Sequence, residues 1–139
     1  EHMKKLGLDI GTVRIGVATS DPLGIIASAY EVYTRKFLKA DVYHFADLAK
    51  TLECDTIVIG KPLKMDGSAG QSVDMVNQFA DELKKICDVP IVFVDERLTT
   101  VSAQRILIEG NVRREKRKNL VDAVAATIIL QTYLDKPKN

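Results

Sequence analysis

The first third of this chain alternates apolar runs with connections too short to cross a sheet, and this constrains its fold more than any other feature. Residues 4–10 read as a strand, Gly11-Thr12 turns the chain, and residues 14–20 return as a second strand. Asp21-Pro22-Leu23-Gly24 is a turn, and residues 25–33 make a third strand. A parallel return needs a crossover of a dozen or more residues, so these three strands are antiparallel neighbours. The period then changes from two to 3.6. Leu38, Val42, Phe45, Leu48, Ala49 and Leu52 mark one face of a helix, and Val73, Val76, Phe79, Ala80, Leu83 and Ile86 mark a second. Between them, Thr56-Ile57-Val58-Ile59 is too apolar for a solvent-facing strand and reads as buried and parallel. A fifth strand covers 89–94. A third helix covers about 99–109 and ends at Gly110, and a last helix covers about 119–134, with Leu120, Val124, Ile128 and Tyr133 periodic. The order βββαβαβαα predicts an α/β domain. Its five-stranded mixed sheet has order 3-2-1-4-5, with strands one, four and five parallel and helices on both faces.

A chain of 139 residues suffices for one domain with a core of its own, placed at 3–136; Glu1-His2 ahead of Met3 reads as a cloning remnant. The net charge of +1 excludes a strongly basic overall field, so a nucleic acid would have to be met by a local patch. Cys54 and Cys87 lack metal-type spacing and read as buried thiols in a reducing cytoplasm. No stretch is long and apolar enough to span a bilayer and no secretory signal is visible, so a membrane is not an expected partner.

Ligands of open sheets gather at the carboxyl ends of parallel strands. Asp9 ends the first strand, and Asp95-Glu96 end the fifth. Asp122 lies in the first turn of the expected last helix, close to Ala125-Ala126 on its apolar side. Separated acids that converge hold a hard divalent cation, Mg²⁺ or Mn²⁺, with part of its coordination sphere open. Each has a plainer explanation. Asp9 can cap a hairpin turn, and Asp122 can answer the helix dipole. Strand alternation sends Asp95 and Glu96 to opposite faces without choosing between them.

Arg113-Arg114-Glu115-Lys116-Arg117-Lys118 is the one dense basic run, read as a flexible loop that grips backbone phosphates or, more plainly, as a solvated linker. Arg14, Lys61, Lys64 and Arg97 fall at turns expected to face the same edge. Gly67, Ser68 and Gly70 precede a helix N-terminus, where free N–H groups meet phosphate or Ser68 caps the helix. Aromatic residues are sparse, which argues against recognition by base stacking.

Several of these segments together resemble the YqgF family. They are Leu6-Gly7-Leu8-Asp9 with Gly11, Arg14-Ile15-Gly16-Val17-Ala18, Ser20-Asp21 and the loop 60–70. Asp95-Glu96-Arg97-Leu98-Thr99-Thr100 with Ala103 is the most specific piece, and Lys116-Arg117-Lys118 followed by Asp122, Ala125-Ala126 and Ile129-Leu130-Gln131 completes the match. The resemblance implies an RNase H-like fold and makes Asp9, Glu96 and Asp122 the metal-binding catalytic acids, choosing Glu96 over Asp95. It implies a nuclease maturing the 5′ end of pre-16S ribosomal RNA, or a Holliday junction resolvase of RuvC type. The chain departs from the family at Lys61 and Lys64. Compared with the wider RNase H-like group, strand four ends in Gly60-Lys61 without an acid.

The expected partner is nucleic acid, structured RNA first and branched DNA as the alternative, met by a monomer or a homodimer. A non-catalytic RNA-binding or transcription-associated module is a further alternative. Leu8-Asp9-Ile10-Gly11-Thr12 also looks like the first phosphate loop of the actin, Hsp70 and sugar-kinase group, but those ATPases need two such domains to enclose nucleotide.

Overall fold

The structure, a computed structural model, describes residues 3–62, 70–96 and 114–136; for residues 71, 72 and 114–122 only the backbone is described. Strands β1 (Lys4–Ile10), β2 (Arg14–Ser20) and β3 (Ala27–Thr34) form an antiparallel meander. Helix α1 (Leu38–Thr51), β4 (Cys54–Lys61), α2 (Gln71–Ile86), β5 (Ile91–Asp95) and α3 (Arg114–Leu134) follow. The sheet order is β3-β2-β1-β4-β5, with β1, β4 and β5 mutually parallel, as the sequence pattern predicts.

Alternation along each strand divides the side chains between two layers. Leu6, Leu8, Ile10, Ile15, Val17, Ile57 and Ile59 point toward α1 and α2, where they meet Phe45, Phe79 and Leu83. Ala18, Val58 and Val94 point the other way and meet Ala125, Ala126, Ile129 and Leu130 of α3. On that face β1 presents Gly7. A Cβ there would lie 2.7 Å from Leu130 Cβ and 3.2 Å from the Ala126 carbonyl oxygen, so a side chain would push α3 off the strand.

Three sequence expectations shift. The third strand begins at Ala27 instead of residue 25, because the Asp21 carboxylate accepts the Ile25 and Ile26 amides (2.7 and 2.8 Å) and bends these residues into the turn. The last helix begins at Arg114, five residues early, so residues 114–118 are helical and not a flexible loop, and Asp122 lies in the third turn and not the first. The cause is propensity. Arg, Glu and Lys are straight-chain helix formers, and charge density alone is no break signal. The sheet-facing side of α3 also differs. Ala125, Ala126, Ile129 and Leu130 are buried, while Val124 and Ile128 of the expected row are half-buried flanks. The expected helix 99–109 lies outside the described residues.

Cys54 is buried and Cys87 half-buried, both as free thiols. Burial pushes the Cys54 thiol up to about 11, which keeps it protonated and unreactive at neutral pH. No helix among the described residues is long and apolar enough to cross a membrane.

Candidate active site at the carboxyl edge of the sheet

Asp9 is the sixth residue of β1, two past Gly7, and so faces α3. It is 6% exposed, among the few buried polar side chains. Its antiparallel partner is Gly16 on β2. On the other side Leu8 pairs with Ile59, and the next step along both strands sets Asp9 beside Gly60.

Glu96 follows directly on β5, two residues past Val94, and Val94 packs in the α3 layer. Asp95 therefore faces the α1–α2 layer and Glu96 the α3 layer. Gly60 shows where the Glu96 carboxylate lies. A Cβ on Gly60 would come 2.8 Å from Glu96 Oε2 and 2.4 Å from Ile129 Cδ1. The Glu96 carboxylate thus reaches back over β4, the strand between its own and that of Asp9. Neighbouring strands are about 4.8 Å apart, so this reach shortens a gap of roughly 10 Å between the strands of the two acids. Any side chain at position 60 would fill the space that the carboxylate occupies. Sequence reasoning treated Gly60-Lys61 as a missing acid. The signal that marks Gly60 is a glycine closing the β-branched run Ile57-Val58-Ile59, a common sign of close approach.

Arg14 opens β2, two residues before Gly16, and so shares the face of Asp9 on the adjoining strand. The turn between them is tight. The Gly11 amide donates to the Arg14 carbonyl (2.9 Å), and a Cβ on Gly11 would stand 2.6 Å from that oxygen. Arg35, just past β3, donates from Nη1 to the Gly11 carbonyl (3.0 Å) and from Nε to Asp41 Oδ2 (2.9 Å). Asp41 Oδ1 accepts the Tyr33 hydroxyl (2.9 Å) and the Lys36 amide (3.0 Å). Burial raises the proton affinity of the Asp41 carboxyl, but the Lys36 amide, the Arg35 guanidinium and the Tyr33 hydroxyl together hold it below the ordinary carboxylate range. Burial, followed by the adjacent Asp41, pushes the Tyr33 hydroxyl up to about 12. Nothing in the linear pattern of residues 31–41 announces this network.

The remaining sequence-predicted residues divide. Lys61 is not brought to the site. Its ammonium lies 4.3 Å from the Phe93 ring centroid, and Phe93 packs in the α1–α2 layer, on the side of the sheet away from Glu96. Residue 122 lies one turn before Ala126 on α3, and Ala126 lies over Gly7. The side chains of Asp122, Arg114, Lys116, Arg117 and Lys118 are outside the description, as are residues Lys64, Arg97 and Arg113 altogether.

The residues fit a hard divalent cation. Two carboxylates share one face at one edge, and a glycine keeps the space under one of them clear. Among the described residues no three His, Cys, Asp or Glu gather.

The fold is the RNase H-like fold of RuvC-type resolvases. Thermus thermophilus RuvC, solved in complex with a Holliday junction substrate, superposes with a TM-score of 0.58 at 14% identity, covering 96% of this chain and 94% of that one. The fowlpox virus resolvase, solved with Holliday junction DNA, gives 0.56 at 10% identity over 96% of this chain and 100% of that one. A family model described as RuvX: Holliday junction resolvase matches residues 3–136, and this chain belongs to that family. Curated relatives under the name "Putative pre-16S rRNA nuclease" are close. The Halalkalibacterium halodurans protein is 48% identical over 136 residues, covering 96% of this chain and 97% of that protein. The Clostridium tetani protein is 45% identical over 137 residues, covering 99% of each.

Proposed function

We propose that this protein is a metal-dependent nuclease that hydrolyses phosphodiester bonds, and that its substrate is the 5′ end of pre-16S ribosomal RNA. The observation that carries the reading is the Glu96 carboxylate seated over Gly60, on the face and at the edge that Asp9 occupies. Asp9 and Glu96, completed by Asp122, would hold Mg²⁺ or Mn²⁺. When bound, such ions activate the attacking water and stabilise the leaving 3′ oxygen. Water adds to phosphorus as the P–O3′ bond breaks, leaving a 5′-phosphate and a 3′-hydroxyl. Arg14, on the face of Asp9, would hold a neighbouring phosphate, and residues 113–118 would extend that grip along the strand. The names of the relatives favour RNA, and the reaction then takes place in the cytoplasm on a monomer, since trimming one end needs one site. The description of the family model supports a second reading, resolution of a four-way DNA junction by a homodimer.

The test compares pre-16S RNA, a mobile four-way junction and plain duplexes in Mg²⁺ or Mn²⁺, with the Asp9→Asn protein as blank. Pre-16S RNA should be cut fastest, and Asp9→Asn, Glu96→Gln and Asp122→Asn should each abolish cutting in a folded protein. Wild-type rates from any of the three would remove that acid from the site. A junction cut faster than the RNA would favour the second reading. Replacing Lys116, Arg117 and Lys118 by Ala should flatten the salt dependence of RNA binding by about 0.7 in log–log slope for each phosphate no longer neutralised.

A further inference from the structure

We propose that Arg35, gripped by the buried carboxylate of Asp41, is a positioning residue for the active site: it fixes the β1–β2 turn and with it the placement of Asp9 and Arg14. The catalytic consequence rests on the nuclease reading, while the hydrogen bond to the turn does not.

Asp9 and Arg14 are separated by the four residues Ile10 to Val13, and Thr12 and Val13 at the tip are exposed. Among the described residues, polar contacts hold that tip. Arg35 supplies two of them. Its backbone amide donates to the Val13 carbonyl (2.8 Å), and its Nη1 donates to the Gly11 carbonyl (3.0 Å). The guanidinium is itself immobilised. Asp41 is 0% exposed and takes Nε at 2.9 Å, while its other oxygen is tied to Tyr33 and Lys36. The Phe79 ring of α2 lies against the guanidinium, 5.7 Å from centroid to Cζ. One planar group thus transmits the positions of β3, α1 and α2 to a single carbonyl between two site residues.

An ion pair that served only stability would require just the Nε–carboxylate hydrogen bond. The second arm of the fork, aimed at Gly11, is what ties the pair to the site. Arginine does both because its donors sit on separate nitrogens held in one plane and point in fixed directions; a lysine ammonium would keep the charge beside Asp41 but carries its donors on a single nitrogen, without that fixed fork. Displacing a ligand by 1 Å is enough to cost a large factor in rate, so a turn released at Gly11 would be felt at Asp9.

The test is Arg35→Lys, with Tyr33→Phe as control, since the control removes one hydrogen bond to Asp41 and leaves the bond to the turn in place. Four quantities are read: amide exchange at residues 11–13, Mn²⁺ affinity of the metal-free protein by calorimetry, kcat and KM on RNA, and the unfolding midpoint. Arg35→Lys should speed exchange in the turn, weaken Mn²⁺ binding about 10-fold and lower kcat by a similar factor with KM unchanged. Tyr33→Phe should leave exchange in the turn and Mn²⁺ affinity as in wild type. A folded Arg35→Lys protein with wild-type turn protection and Mn²⁺ affinity would overturn the proposal. So would a Tyr33→Phe protein altered to the same degree, because general loosening would then explain both. If Arg35→Lys does not fold, Asp41→Asn is read by the same measures, and undisturbed turn and metal binding there would equally overturn it. A wild-type protein that neither binds Mn²⁺ nor cuts RNA or the four-way junction would end the nuclease reading, while the exchange measurement would still decide whether Arg35 holds the turn.

Discussion

On its α1–α2 face the sheet presents Leu6, Leu8, Ile10, Ile57 and Ile59 to Phe45, Phe79 and Leu83; on its α3 face it presents Gly7, Ala18, Val58, Gly60 and Val94 to Ala125, Ala126, Ile129 and Leu130. The first face is filled by large side chains, whose burial contributes about 1.5–3 kcal/mol each. The second is built from small ones, and its gain in burial is lower. What it gains is proximity. Glycine on the strands and alanine on the helix let α3 lie directly on β1 and β4, and the same absence of side chains at position 60 lets a carboxylate swing across β4. Stability is concentrated in one layer, and Asp9 and Glu96 share the other. The site is made possible by omitted side chains as much as by the acids themselves.

This contrast predicts that substitutions on the two faces should fail differently. The largest effect belongs to the thick face. Phe45→Ala removes a fully buried ring that packs on Tyr33, His44 and Phe79. It should cost about 3–5 kcal/mol of stability in urea unfolding, with kcat of the folded fraction unchanged. The next belongs to the thin face. Gly60→Ala puts a methyl group 2.4 Å from Ile129 Cδ1 and 2.8 Å from Glu96 Oε2. It should lower kcat/KM about 100-fold while moving the unfolding midpoint less than Phe45→Ala does. Full activity in Gly60→Ala would break the contrast.

A smaller effect is read by pH. The folded-state pKa of Asp41 lies below its ordinary 3.8, so its contribution to stability is complete above that value and is lost as pH falls through the lowered pKa. Unfolding measured from neutral pH downward should show the stability advantage of wild type over Asp41→Asn shrinking only in acid below about pH 4. An advantage independent of pH would exclude the charge as its source. The smallest effect is at Lys61, whose ammonium rests on Phe93 on the face away from the acids. Lys61→Met should cost about 0.5–1 kcal/mol of stability and leave cleavage within about 2-fold. A 10-fold fall would mean that Lys61 reaches the substrate after all.

The linear pattern carried much of this. The meander, the strand order and both helices of the thick face were legible because large apolar residues repeat at periods of 2.0 and 3.6, and side chains of that size can only be buried. Helix α3 was legible as a helix but not in its register or its start. Its buried face is marked by alanines, which have little hydrophobic contrast, and its basic opening looked like a loop although every residue in it favours helix.

The sequence by itself determined which acids were available and which strand ends they occupied, since chain order and apolar periodicity fix those positions. Tertiary structure decided the rest. It set Glu96 over Gly60, turned Lys61 away, and brought Arg35 under the turn at Gly11. Those relations join residues tens of positions apart through space left empty or through the plane of one side chain, and neither has a period along the chain.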